Sequence, residues 1–337
     1  MSTETQSCMM REVLEESSHD FHPHSFNEYV GQQALKNKLS TYAQAAHLRQ
    51  EPLDHVLLFG PPGLGKTTLS MLLARVMGVT IKVCSGPTLE RSGDIVSILS
   101  SLEPRDVLFI DEIHRLPVAV EEILYNAMEH FRIDIIVGQG AGAKSVNLPI
   151  HPFTLIGATT KTGLISAPLR TRFGIIEKLD FYTDEELQQI IQTYAQALTI
   201  NISDSAALHV AKCARGTPRV AKKIVRRIRD FAQVHNNNEA NDELVRQGLD
   251  FLGIDSEGLT TLDNMYLKTL IERFGGGPVG LETLASVVGE DSHMLEEVQE
   301  PFLLRMGYIE RSPRGRKIAQ AKLPQLQLKY FGQKQVF

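Results

Sequence analysis

Cysteine is scarce in this chain of 337 residues: only Cys8, Cys84 and Cys213 occur, far apart and odd in number. They supply neither a disulfide framework nor a zinc knuckle, which fits a reducing interior. A secretory leader is not expected either, since it needs a basic start and an apolar run. Residues 1–20 instead hold Glu4, Glu12, Glu15, Glu16 and Asp20 against Arg11 alone, and are expected to be disordered. No stretch approaches the length of a membrane-spanning helix, and there is no internal repeat or low-complexity tract. The expectation is a soluble, cytoplasmic protein. Positive net charge is also lacking: the total of −5 speaks against a chain that is basic all over.

What is present is apolar content of 42% beside 22% charged residues, enough for a sizeable core, in a length that suits two or three domains. Basic charge is concentrated rather than spread. Lys212 to Arg229 contains eight basic residues and no acid, and Arg305 to Phe337 contains eight against Glu310 alone. Local positive surfaces on an acidic chain suit a protein that meets phosphates at chosen places.

Three regions separate by pattern. Up to about residue 182, short apolar runs alternate with helical segments, which predicts a parallel α/β sheet. Its predicted strands are Val56–Phe59, Thr80–Val83, Val107–Ile110 and Thr154–Gly157. Residues 183–254 read as wholly helical, opening on a Thr183–Glu186 capping box. A later helix follows Gly216-Thr217-Pro218, with Ala221, Ile224, Val225, Ile228, Phe231 and Ala232 on one face. From 255 onward come three helices, the last two near Leu281–Val288 and Ser292–Met306. A hairpin over Tyr308–Ile318 then makes a winged helix. The expected fold class is therefore α/β: a P-loop parallel-sheet domain over 1–182, an all-helical lid over 183–254 and a winged-helix head over 255–337.

Gly60-Pro61-Pro62-Gly63-Leu64-Gly65-Lys66-Thr67-Thr68 follows a strand and opens an apolar helix, the context a Walker A loop requires. Its glycines let backbone amides curl around phosphates, Lys66 reaches the β and γ oxygens, and Thr67 offers a hydroxyl to magnesium. Val107–Ile110 ends in Asp111-Glu112. Asp111 suits the magnesium shell and Glu112 suits polarising the attacking water, which favours hydrolysis over phosphoryl transfer to a second substrate. A third strand ends in Ala158-Thr159-Thr160, where a hydroxyl can register the γ-phosphate or simply close the strand. Leu169-Arg170-Thr171-Arg172-Phe173 and Arg219 after Pro218 offer arginines of the kind that neutralise transition-state charge.

The ordered set GPPGLGKTT, LFIDEIHRL, LIGATT, APLRTRFG and GTPRVAKKIVRRIRDFA resembles the AAA+ ATPases. Within them it is similar to the RuvB family of Holliday-junction branch-migration motors, from Phe26-Asn27-Glu28-Tyr29-Val30-Gly31-Gln32 to Arg316. The resemblance implies a hexameric ring that couples ATP hydrolysis to movement on junction and duplex DNA in recombination and repair. It also implies a RuvA-type partner that docks on the hairpin near 133–147, and a RuvC-type resolvase as a further partner. It makes Gly63, Gly65, Lys66, Thr67 and Thr68 the phosphate loop, and Thr67 with Asp111 the magnesium ligands. Thr159 or Thr160 is the first sensor, with Thr160 counted in the catalytic set beside Lys66, Asp111 and Glu112; Arg219 is the second sensor. Arg170 and Arg172 both match the arginine-finger segment, one as finger and one as a further phosphate contact, and Tyr182 lies by the nucleotide. Arg311 and Arg316 match wing positions that touch DNA, with Arg314 beside them. Two stretches depart from the family pattern: Phe21-His22-Pro23 stands for Leu-Arg-Pro and Glu129-His130-Phe131 for Glu-Asp-Phe. Both are expected near the nucleotide base. Two other classes compete: an ATP-dependent loader, against which stand the missing cysteine cluster and the basic tail, and a winged-helix transcription regulator with a nucleotide switch.

Overall fold

A computed structural model describes residues 23–137, 144–235 and 238–332. The predicted disorder of 1–20, the residues Phe21 and His22 and the hairpin tip Gly138–Gly142 lie outside them. Contacts divide the chain into two compact units, one running to Asn201 and including Gly216–Val225, the other comprising Ile202–Arg215 and Arg226 onward.

In the first unit, α1 (Gln33–Arg49) precedes β1 (Val56–Phe59), which leads through the glycine loop into α2 (Lys66–Met77). Next come β2 (Ile81–Ser85), α3 (Ser92–Ser100), β3 (Val107–Asp111) and α4 (Val118–His130). The antiparallel pair β4 (Arg132–Val137) and β5 (Lys144–Pro149) follows, then β6 (Thr154–Thr159), α5 (Ala167–Arg170), β7 (Ile175–Lys178) and α6 (Asp184–Ala197). Five strands form a parallel sheet in the order β2-β3-β6-β1-β7. Central strands read as unbroken apolar runs because helices cover both faces; every residue of β6 is buried. The registers Ser85 opposite Asp111 and Phe59 opposite Thr159 bring the tips of β3, β6 and β1 to one edge. That edge is where open parallel sheets bind ligands.

Several strands differ from the pattern reading: β3 runs on to Asp111 and β6 to Thr159. β2 starts one residue later and runs to Ser85. β7 went unpredicted because it is an edge strand whose residues are buried only at Ile175.

In the second unit, α7 (Asp204–Cys213), the later part of α8 (Pro218–His235) and α9 (Asp242–Phe251) lie with the C-terminal elements. The contact division thus parts α6 from α7 and α9, whereas sequence pattern grouped all of them over 183–254. Nor is that region wholly helical, since two-residue strands β8 (Asn201–Ile202) and β9 (Glu239–Ala240) occur within it. The C-terminal part holds α10 (Thr261–Phe274) and α11 (Leu281–Val288), packed on a core that includes Tyr266, Leu270, Leu284 and Phe302. The single helix predicted over Ser292–Met306 is broken into α12 (Ser292–Met294), a π-helical turn over Leu295–Gln299 and α13 (Glu300–Arg305). Pro301 supplies the reason: it has no N–H to continue the ladder, and the turn before it widens. The hairpin forms from β10 (Ile309–Ser312) and β11 (Gly315–Ile318), and an unpredicted α14 (Leu323–Phe331) buries Leu326. Among the described residues no helix is long and apolar enough to cross a membrane.

Candidate functional site

The loop between β1 and α2 is built for an anion. Gly63 and Gly65 hold φ of 80° and 95°, a conformation that costs an L-residue energy and lets successive amides point inward. Gly65 then starts α2, whose amino end adds its dipole. A Cβ at Gly63 would stand 2.9 Å from the Cβ of Arg219, so the loop is also tight. Lys66 is 8% exposed and donates from Nζ to the carbonyls of Gly60 and Pro61, at 2.8 and 2.9 Å. Burial pulls its ammonium down to about 8; Asp111 opposes that shift and Arg219 adds to it. A stripped cation held against carbonyls is poised for a stronger anionic partner. Thr67 and Thr68 follow in the first turn of α2, half-buried.

Asp111 ends β3 and its Oδ1 accepts the amide of Glu112 at 2.9 Å. Glu112 itself sits at φ 49°, off the strand path, with its carboxylate 3.0 Å from Arg115. Thr159, the last residue of β6, is buried; its hydroxyl accepts the amide of Lys161 and pairs with His114 Nδ1, both at 2.9 Å. Thr160 is exposed one residue on. His114 therefore ties the segment after the paired acids to the neighbouring strand tip, a link that no sequence reading supplied.

A cavity adjoins the loop, with Pro23, Tyr29, Val30, Gly65, Thr68 and Tyr182 in its wall, together with Pro218 and Lys222. Tyr182 donates to the Leu64 carbonyl at 3.2 Å and shares a hydrogen bond with Tyr29 at 3.0 Å. Because each hydroxyl has one proton, Tyr29 is the donor to Tyr182. Burial pushes the Tyr29 phenol up to about 12 and raises Tyr182 as well. Arg219 meets the loop through its backbone, its amide donating to the Gly63 carbonyl at 3.3 Å. Tyr29 was missed as a site residue. Its only signal was its place in the Phe26–Gln32 stretch of the resemblance.

Glu129, His130 and Phe131 lie elsewhere. Their helix, α4, returns across the sheet from the tip of β3, so its end arrives at the edge where strands begin. There Met128 accepts a bond from His55 just before β1, and Phe131 packs on Phe153 just before β6. The expectation that this stretch lies near the nucleotide base is thus corrected for its own subunit: the phosphate loop is at the opposite edge. Pro23, from the other departing stretch, does line the cavity. Arg172 shares the far edge, 3.2 Å from Glu129, while Arg170 stands exposed nearby.

In the second unit, Arg311 and Arg316 face each other across the β10–β11 hairpin and both reach Glu300, which is fully buried. Arg311 approaches Glu300 to 2.6 Å and Arg316 to 2.8 Å, and both also pair with Glu296. Tyr266 donates to the same Glu300 at 3.0 Å. The two wing arginines are therefore part of a fixed network, and Arg316 is only 16% exposed in its side chain. Arg314 at the tip is exposed. Arg215, from the first basic cluster, also serves structure: it is ion-paired to buried Asp263 and stacked over Phe302.

Comparison with known proteins follows the same three parts. Residues 21–179 match the Holliday junction DNA helicase RuvB P-loop domain, residues 182–255 the RuvB AAA lid domain and residues 256–327 the RuvB C-terminal winged helix domain. Over 308 residues the chain is 52% identical to the Holliday junction branch migration complex subunit RuvB of Ligilactobacillus salivarius (strain UCC118), covering 91% of this chain and 92% of that one. Among solved structures, the Thermotoga maritima RuvB Holliday junction branch migration motor is 48% identical with a TM-score of 0.81, covering 91% of this chain and 98% of its own. A mutant of the same Thermotoga protein reaches 0.83 at 48% identity, over 92% of this chain and 99% of its own.

Proposed function

This chain belongs to the RuvB family, and from that premise we propose how it works: as an ATP-driven motor that moves Holliday junctions along DNA in recombination and repair. Its fold is that of a AAA+ ATPase, with a P-loop domain, a helical lid and a winged helix. In our reading these domains span 1–182, 183–254 and 255–337. Six copies form a ring in the cytoplasm, a RuvA-type protein docks on the hairpin near 133–147, and a RuvC-type resolvase can follow.

The observation that carries the reading is Lys66, desolvated against the carbonyls of its own loop with Asp111 and Arg219 close enough to perturb it. Triphosphate oxygens replace those carbonyls, and Gly63, Gly65 and Thr68 line the path. Phe21, His22, Tyr182 and Arg219 complete the nucleotide's surroundings. Thr67 and Asp111 would hold magnesium, which would shield the phosphate charge. A magnesium ion bound through few side chains plus phosphates needs no dedicated acidic cage, and none occurs among the described residues. Glu112 orients the attacking water, with Thr160 or Thr159 reporting on the γ-phosphate.

Arg170, Arg172 and the Glu129–Phe131 stretch lie at the edge away from their own loop, so a contribution to catalysis comes in the neighbouring copy's site. In the head, Arg311, Arg314 and Arg316 meet phosphates without reading sequence, which suits a motor that crosses any DNA. Glu112→Gln tests the assignment. Nucleotide binding should persist while steady hydrolysis and junction movement on a synthetic four-way substrate stop. Hydrolysis at the wild-type rate would remove Glu112 from the mechanism.

A further inference from the structure

We infer that Tyr125 is a positioning residue for the arginine finger, its ring a shelf that holds the Arg172 guanidinium ready for a neighbouring copy's nucleotide. The inference rests on the reading that Arg172 acts in that neighbouring site. The guanidinium carbon lies 4.6 Å from the centre of the Tyr125 ring, within range of a cation–π contact. Nη1 donates to the Pro168 carbonyl at 2.7 Å, and Nη2 is 3.2 Å from Glu129. Tyr125 and Glu129 stand four residues apart on α4, so one helix face presents both the ring and the acid.

The shelf is itself anchored. The Tyr125 hydroxyl donates to Glu121 at 2.8 Å, and the Ser166 hydroxyl donates to the same carboxylate oxygen at 2.6 Å. Glu121 is buried, 7% exposed. Ser166 also caps α5, its oxygen accepting the Leu169 amide at 3.3 Å. One buried carboxylate thus fixes the aromatic ring and the start of the short helix that leads to Arg172. An arginine is otherwise a long, freely rotating side chain, and an edge-standing one has no reason to point at a neighbour without such support. Arg170, two residues earlier at the end of α5, is exposed.

Subunit mixing tests this in the ring-forming full chain with DNA. Tyr125→Leu should lower kcat for ATP about tenfold and leave KM unchanged, because the finger acts on the transition state. Tyr125→Phe keeps the ring face and should stay within roughly threefold of wild type. If Tyr125→Phe is as slow as Tyr125→Leu, the ring is not the shelf. The decisive arm mixes Tyr125→Leu with Glu112→Gln at equal amounts. A quarter of all sites then combine an intact Glu112 with a neighbour's intact Tyr125, so activity should rise roughly fivefold above the mean of the two pure preparations. Arg172→Ala mixed with Glu112→Gln is the control. If the control rises and the Tyr125→Leu mixture does not, Tyr125 serves its own subunit and the inference fails while the neighbour-acting finger stands. If neither rises, Arg172 does not act across the interface, and the shelf role falls with it.

Discussion

Replacing Glu300 with Gln puts the buried network of the wing to a quantitative test. The wild-type carboxylate is fully buried and accepts from Tyr266 at 3.0 Å, from Arg311 Nη2 and Nε at 2.6 and 3.0 Å, and from Arg316 Nε at 2.8 Å. Gln is nearly isosteric, but it removes the charge and turns one acceptor into a donor aimed at guanidinium donors. Breaking a buried pair from one side costs about 3–5 kcal/mol. Two features discount this figure. Arg311 is 45% exposed in its side chain, so its part is screened to about 1 kcal/mol or less. Glu296 also remains to pair with both arginines. Arg316, 16% exposed, carries most of the effect. A local loss of roughly 2–4 kcal/mol is expected for the head.

Amide hydrogen exchange on the intact protein reads this directly. Exchange at Ile309–Ser312 and Gly315–Ile318 should speed up by roughly 30- to 1000-fold if opening of the wing limits it, while the β1–β3–β6 amides stay unchanged. Duplex-DNA affinity should drop in parallel, since unpinned arginines lose their paired geometry. Exchange in the wing within threefold of wild type would show that Glu300 is not the keystone, and the reasoning from burial would be wrong.

Three further outcomes follow from the nucleotide site. Because the Lys66 ammonium is lowered to about 8, the unfolded chain binds more protons between about 8 and 10.5, so the folding penalty from this group is full below 8 and fades as pH rises through that window. Bound phosphate should restore the charge, so calorimetry in buffers of different ionisation heat should show about half a proton taken up per ATP at pH 8 and much less at pH 7; equal uptake at both would refute the shift. Gly63→Ala meets both a φ of 80° and a 2.9 Å approach to Arg219, so fluorescent-nucleotide titration should show at least about tenfold weaker binding. Unchanged affinity would mean the loop yields freely. Tyr182→Phe strands both the Leu64 carbonyl and the Tyr29 hydroxyl, at a cost of about 1–3 kcal/mol. Tyr29→Phe removes only the donor to Tyr182 and should weaken nucleotide binding less; the reverse order would contradict the assigned proton direction.

Sequence alone was enough for the motifs whose parts are neighbours along the chain. Val56–Thr68 folds as strand, turn and helix within thirteen residues, and its anion site is made of its own amides, so the spacing already contains the chemistry. The same holds for Asp111-Glu112 at a strand tip and for the Thr183–Glu186 capping box, which forms with both reciprocal bonds. Even the wing hairpin follows from apolar ends around a Pro/Gly tip. What needed the tertiary structure were relations across long separations. Tyr29 meets Tyr182 across 153 residues, and Glu129 and Arg172 share an edge far from the loop that their sequence suggested. Arg311 and Arg316 match DNA-touching wing positions in the sequence, yet each ends on the buried Glu300, which follows the π-helical turn. Periodicity records which face of an element is apolar, but not which edge of a sheet a returning helix reaches or which acid a cation finds, because those depend on how separate elements pack.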